Sequence, residues 1–301
     1  MDLTNRFAQY GLLGLLALIW GSSFILMKRG LVYFDSTEVA AFRMSVAMAA
    51  LLPIALRSLP TIRKHPAALF FTGLVGNAIP AFLFALAQTE IPSSLSGMLN
   101  SLTSLFTLVL GVAFFRTKPL ANQFAGVLLA LIGTAGLIGF AHLLDFSTYG
   151  RYSLLVVAAS CCYGTSVNII KTYLGDVRPP QIAALSFLLT VPVLSIYLVF
   201  FTDFVSQVAL HPESRWGVGY VGVLGLLSTS FAVVLFNRLI KETTAVFASS
   251  VTYLIPVVAV GWGIADGEVI DRGQLGYLVL ILSGIFLINA GSIRSRRSRP
   301  E

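Results

Sequence analysis

Charge is what this sequence has least of. Only 11% of its 301 residues are Asp, Glu, Lys or Arg, against 56% hydrophobic, and the mean hydropathy is +0.86. A soluble domain carries about a quarter charged residues, so this composition excludes one and reads as a membrane protein. Acids are missing from every span centre: Asp35, Glu38, Glu90, Asp145, Asp203, Asp266, Glu268 and Asp271 all fall near expected ends or loops. That disfavours an exporter of lipophilic cations built around a membrane carboxylate. The two cysteines, Cys161 and Cys162, are adjacent in an apolar run, with no base nearby and no disulfide framework. His65, His142 and His211 show no metal spacing, so no metal or cofactor is expected. Without a nucleophile and base, paired acids or metal ligands at membrane depth, an intramembrane enzyme is excluded. The net charge of +7 includes no basic patch with interleaved aromatics, which argues against nucleic acid. Small molecules and the bilayer are the expected partners.

What the chain does have is apolar length. Runs fall at about 10–27, 36–56, 68–88, 94–115, 121–141, 151–172, 180–202, 216–239, 244–264 and 273–292, each near the 20 or so residues that cross a bilayer. The first lacks a small-residue cleavage site and is expected to be a retained span. Arg6, Arg57, Arg63, Lys64, Arg116, Lys118, Lys171, Arg178, Arg238, Lys241 and the tail arginines Arg294, Arg296, Arg297 and Arg299 fall on one side, against Lys28, Arg29, Arg151, Arg215 and Arg272 on the other. The richer side is cytoplasmic by the positive-inside rule, which predicts both termini inside. The connection from Thr202 to Arg215 is the longest and the candidate for a mobile external loop.

The chain also repeats. An offset of 143 sets Trp20-Gly21-Ser22-Ser23 on Tyr163-Gly164-Thr165-Ser166 and Lys28 on Lys171; an offset of 151 sets Gln123 on Gln274 and Gly133 on Gly284. Two halves of five spans follow. Because five is odd, the second half enters the membrane in the opposite sense, giving an inverted-topology repeat whose binding site is expected near the midplane between the halves.

Polar groups inside apolar runs need partners, and they mark where a cavity belongs. The stretch Ser93 to Phe115 carries a polar stripe of Asn100, Thr103, Thr107 and Gly111 beside a small stripe of Ser94, Gly97, Ser101 and Ser104. Trp20 and Ser23 share one face of the first helix, and Tyr163 and Ser166 share the corresponding face of the sixth. Asn77 with Pro80, and Ser228, Thr229 and Ser230 with Asn237, make polar sections in matching spans; Tyr253 follows Ser249 and Ser250 in the ninth. The expected substrate-facing set is Trp20, Ser23, Asn77, Asn100, Thr103, Tyr163, Ser166, Ser228, Asn237 and Tyr253. Arg43, the sole ionisable residue well inside a run, is either an anion clamp or a structural arginine that binds helix-end carbonyls or pairs with Glu38 or Asp35; the structural reading is preferred. Arg43, Pro80, Pro256 and Glu268 make up the structural or gating set. Gly126, Gly133, Gly136 and Gly139, with Gly276, Gly284 and Gly291, suit close packing within a monomer or between the protomers of a homodimer; a monomer is expected.

Leu18-Ile19-Trp20-Gly21-Ser22-Ser23-Phe24, Arg43, the run Ser93 to Phe115, and Tyr253-Leu254-Ile255-Pro256 followed by Gly267-Glu268 resemble the EamA branch of the drug/metabolite transporter superfamily, over essentially the whole chain. The resemblance implies an all-α membrane fold of ten helices, in two inverted five-helix repeats around a central cavity. Residues 1–145 and 146–293 would be the repeats and 294–301 a basic cytoplasmic tail. The family's proline and Gly-Glu pair are kept in the second half, whereas the first has Ser104 and Arg116-Thr117 at those places. The expected function is a secondary transporter of the inner membrane that exports small metabolites, amino acids foremost, by alternating access. Efflux of drugs or organic cations, or a passive channel for small polar solutes, is the alternative.

Overall fold

The computed structural model describes residues 6–116, 121–138 and 148–297. All of its regular structure is helical: α1 (Arg6–Gly30), α2 (Ser36–Arg57), α3 (Pro66–Ala87), α4 (Ser93–Phe114), α5 (Ala121–Ile138), α6 (Thr148–Tyr173), α7 (Pro179–Phe200), α8 (Ser214–Glu242), α9 (Phe247–Ala265) and α10 (Arg272–Arg297). Among the described residues eight helices, all but α5 and α10, are long and apolar enough to cross a membrane; α5 contains the shorter apolar stretch Phe124–Leu137. Lys118, Pro119, His142 and Asp145 and the end of the tail, Arg299 included, lie outside the described residues. Two sequence expectations change. The connection after α7 is not open loop but holds a short helix, Phe204–Leu210. The basic residues Arg294, Arg296 and Arg297 of the expected tail continue α10, which runs to Arg297.

Asp35 opens α2 with a reciprocal cap: its carboxylate accepts the Glu38 N–H, and Glu38 accepts the Asp35 N–H. Inside the spans, side chains too apolar for water face both inward and outward. Leu18, Phe71, Val193, Ile196 and Phe231 are exposed, an outer surface suited to acyl chains rather than to solvent.

Packing recurs in pairs. α1 lies against α8 and α9, as α6 lies against α3 and α4, while α2 packs on α7 and α5 on α10. Small residues set the closest approaches. A Cβ on Gly21 would strike Val258, and one on Gly164 would lie 2.7 Å from the Thr107 backbone nitrogen and 2.9 Å from the Phe106 carbonyl carbon. Likewise a Cβ on Gly73 would strike the Ser186 carbonyl oxygen, and one on Gly225 would lie 2.7 Å from that of Arg43. α5 and α10 use their glycines on one another: Gly133 faces Ile281, Gly136 the Tyr277 ring, and Gly284 the Gly126 carbonyl, whereas Gly276 faces open space.

Helical irregularities also come in pairs. α3 widens into a π-helical stretch at Leu74–Ala78 and α8 at Leu224–Phe231. Asn77 in the first donates five residues back to the Thr72 carbonyl at 3.5 Å, and Thr229 in the second does the same to Leu224 at 3.1 Å. Pro80 follows the first widening, which relieves the clash a proline ring makes with the preceding turn. α4 and α9 tighten into 3₁₀ turns at Asn100–Leu102 and Ser250–Tyr253, the second just ahead of Pro256.

Candidate functional site

Where eight of the helices converge they line a partly open cavity of about 100 Å³, measured as the space open to water. α1 contributes Trp20, Ser23, Phe24 and Met27; α2 contributes Arg43; α3 contributes Thr72, Gly76, Asn77 and Phe84; α4 contributes Asn100 and Thr103. From the other side come Tyr163, Ser166, Val167 and Ile170 of α6, Ala183 and Ser186 of α7, Ser228, Thr229, Val233, Phe236 and Asn237 of α8, and Thr252 and Ile255 of α9.

The walls are aromatic. Trp20 meets Phe236 edge to face with centroids 4.9 Å apart, and Phe84 stacks near Tyr163 at 5.9 Å. The two pairs are counterparts: Trp20 and Tyr163 are related by the offset of 143, and Phe84 and Phe236 by 152. The indole N–H, which at membrane depth needs an acceptor, donates to the Ser228 carbonyl at 2.9 Å, in the widened stretch of α8. Ser23 turns back on the Trp20 carbonyl at 2.5 Å.

Between the aromatics the lining is polar and incompletely paired. Thr72 Oγ1, Thr103 Oγ1, Ser186 Oγ and Asn237 Nδ2 are buried and lack a hydrogen-bond partner. Buried polar groups are rarely left so, and these four, two from each side of the cavity, are sites for a ligand's complementary groups or for water. Arg43 is the one charged residue among those lining the cavity; it is 8% exposed, and its Nε donates to Thr229 Oγ1 at 3.3 Å. It does not pair with Glu38 or Asp35, because those two close the cap at the start of α2.

Of the residues expected from sequence to face substrate, Trp20, Ser23, Asn77, Asn100, Thr103, Tyr163, Ser166, Ser228 and Asn237 all line this cavity. Tyr253 does not. The 3₁₀ turn at Ser250–Tyr253 shifts the helical phase, so that Thr252 faces the cavity and Tyr253 packs beside Ser104. Sequence reasoning missed Thr72 and Ser186, single hydroxyls in apolar runs, and also Phe84 and Phe236, whose mutual offset was the available signal.

Glu268 stands at one end of the bundle, outside the cavity. α9 stops at Ala265, and Gly267 takes the left-handed φ of +82° that lets the chain double back, with the Glu268 N–H on the Gly263 carbonyl at 2.9 Å. In the first half no glycine is available, and Arg116 sits at φ +55° after α4. The Glu268 carboxylate accepts from Lys28 Nζ (2.8 Å), Ser93 N (3.0 Å), Ser93 Oγ (2.8 Å) and Ser94 N (3.0 Å). Asp266 adds ion pairs to Lys28 (2.7 Å) and Arg29. The end of α1, the start of α4 and the α9–α10 turn are thereby tied by charge. Among the described residues no cluster of His, Cys, Asp and Glu suits a metal.

Several known proteins resemble this chain over nearly its whole length. A probable amino-acid metabolite efflux pump of Salmonella typhimurium is 24% identical over 94% of this chain and 95% of its own. The uncharacterized inner membrane transporter YedA of Escherichia coli is 24% identical over 95% and 93%, and the uncharacterized transporter YyaM of Bacillus subtilis 24% over 91% and 90%. A solved crystal structure superposes with a TM-score of 0.65 at 18% identity, covering 98% of this chain and 100% of that one, which shows the shared fold. The model of the EamA-like transporter family matches twice, at residues 9–139 and 150–290, and the chain belongs to that family.

Proposed function

We propose that this protein is a secondary transporter of the cytoplasmic membrane that exports small metabolites, amino acids or related compounds, by alternating access. The observation that carries this reading is the aromatic, partly unpaired cavity held between both halves of the chain. Two halves of five spans in inverted topology, with both termini cytoplasmic, are part of the proposal. The paired packing of α1 with α8–α9 and α6 with α3–α4, and the paired irregularities in α3/α8 and α4/α9, support it. The names of the relatives, metabolite efflux pump and inner membrane transporter, support the same substrate class and membrane. A monomer is part of the proposal, supported by the packing of Gly133, Gly136 and Gly284 between α5 and α10.

Counterflow in proteoliposomes tests it. Vesicles loaded with an unlabelled amino acid mixture are expected to accumulate labelled amino acid transiently and saturably. Linear, non-saturable entry without counterflow would identify a channel instead, and exchange restricted to lipophilic cations would overturn the substrate class.

A further inference from the structure

We propose that Arg43 is the anion anchor of the cavity and that the ligand carries a carboxylate, its apolar or aromatic body lying between the Trp20–Phe236 and Phe84–Tyr163 pairs. This inference rests on the transporter reading above. Its first ground is the state of the guanidinium. Arg43 is more than nine-tenths buried in an apolar span, yet among the described residues it makes one side-chain hydrogen bond, to the neutral Thr229, and no ion pair. A guanidinium has five N–H donors in a fork matched to a carboxylate, and no acidic residue lines the cavity to meet them. Nearby Glu38 is spent on the helix cap.

The second ground is the repeat. The offset of 143 sets Arg43 on Ser186, and the packing agrees, since Gly225 closes on the carbonyl of Arg43 as Gly73 closes on that of Ser186. The fold is therefore satisfied at this place by a serine. That backbone approach is the same with arginine or serine, so the positive charge is not part of it, and it makes two equivalent walls of the cavity unequal. A ligand with one anionic end is held in one orientation, carboxylate toward Arg43 of α2 and Thr229 of α8. A cationic ligand finds no counter-charge.

The test uses the purified full-length chain and four probes of one shape: L-phenylalanine, 3-phenylpropionate, L-phenylalaninamide and 2-phenylethylamine. Thermal stability and equilibrium binding are read for wild type, Arg43→Met and Arg43→Lys. The two carboxylates are expected to stabilise wild type while the amide and amine do not. Arg43→Met is expected to weaken carboxylate binding about thirtyfold or more, and Arg43→Lys to restore part of it. With no probe present, Arg43→Met is expected to melt at or above the wild-type temperature, because an unpaired buried charge is removed. A clear loss of stability in probe-free Arg43→Met assigns a structural role and overturns the inference. So does stabilisation of wild type by amide and amine as strong as by acid, or by none of the carboxylates. Counterflow separates the two readings: carboxylate binding without exchange sinks the carrier and keeps the anchor, whereas exchange of amides and amines alone does the reverse.

Discussion

Burial alone would push the Glu268 carboxyl up, but the donors from Lys28, Ser94 and Ser93 outweigh it and hold the group down at about 2. A depressed carboxyl contributes stability above its unfolded value of about 4.3 and loses it as pH falls toward the folded value. This carboxylate therefore stays ionised through the neutral range. The expected outcome is a wild-type melting temperature with a slope below about pH 4.5 that Glu268→Gln flattens, read by thermal unfolding in detergent across a pH series. The variant is also expected to lose about 1–3 kcal/mol at neutral pH, since an amide replaces an acceptor of charge-assisted bonds. Proton uptake at Glu268 near neutral pH thus requires that Lys28 and the start of α4 first move away. Trp20 gives a cleaner single bond. Trp20→Phe keeps a ring against Phe236 and removes the indole donor to the Ser228 carbonyl, for an expected cost of about 0.5–1.5 kcal/mol in the same assay.

At the scale of elements, close approach decides. Any side chain at Gly164 would drive α6 into the Thr107 backbone, which cannot give, so Gly164→Val is expected to cost about 1–3 kcal/mol or to abolish folded yield. Gly222→Ala on α8, where a Cβ meets nothing within 4 Å, is expected to be neutral or slightly stabilising. Size-exclusion profiles and melting curves of the two variants check the contrast. The same elements explain what the sequence could convey. Span positions were legible because hydropathy alone sets them, and Asn77, Asn100 and Asn237 were legible as cavity residues because an amide in an apolar run has few other places to go. Tyr253 was misplaced for a geometric reason. Helical spacing assumes 3.6 residues per turn, while the widened stretches of α3 and α8 and the tightened turns of α4 and α9 rotate every face beyond them, and no residue type announces that change. Arg43 was legible as an anomaly, and the structure adds that Glu38 closes the cap of α2 while Arg43 bonds Thr229.

For the whole molecule, the two ends of the bundle are unequal. One is clasped by Lys28, Arg29, Asp266 and Glu268 together with the start of α4. At the other, Lys171, the counterpart of Lys28, has no Gly-Glu turn to meet and instead donates to the carbonyls of Ile240, Lys241 and Thr243 at the end of α8. Among the described residues the ties between halves there include an exposed His65–Asp176 pair at 2.9 Å, which exposure makes weak, a part-buried Gln181–Ser58 bond at 3.2 Å and a buried Asn168–Thr107 carbonyl bond at 2.9 Å, with no charge clasp like that of the other end. Alternating access, as proposed, needs the clasped end to open once per cycle, so pinning it should stop exchange without closing the cavity to ligand. The measurement is counterflow by Lys28→Cys/Asp266→Cys, in a background where Cys161 and Cys162 are alanine, after reaction with a short bifunctional maleimide. Exchange is expected to cease while ligand-induced thermal stabilisation persists, and each single-cysteine variant treated the same way is expected to remain active. Undiminished counterflow in the cross-linked protein would mean that the substrate leaves by a path this end does not gate.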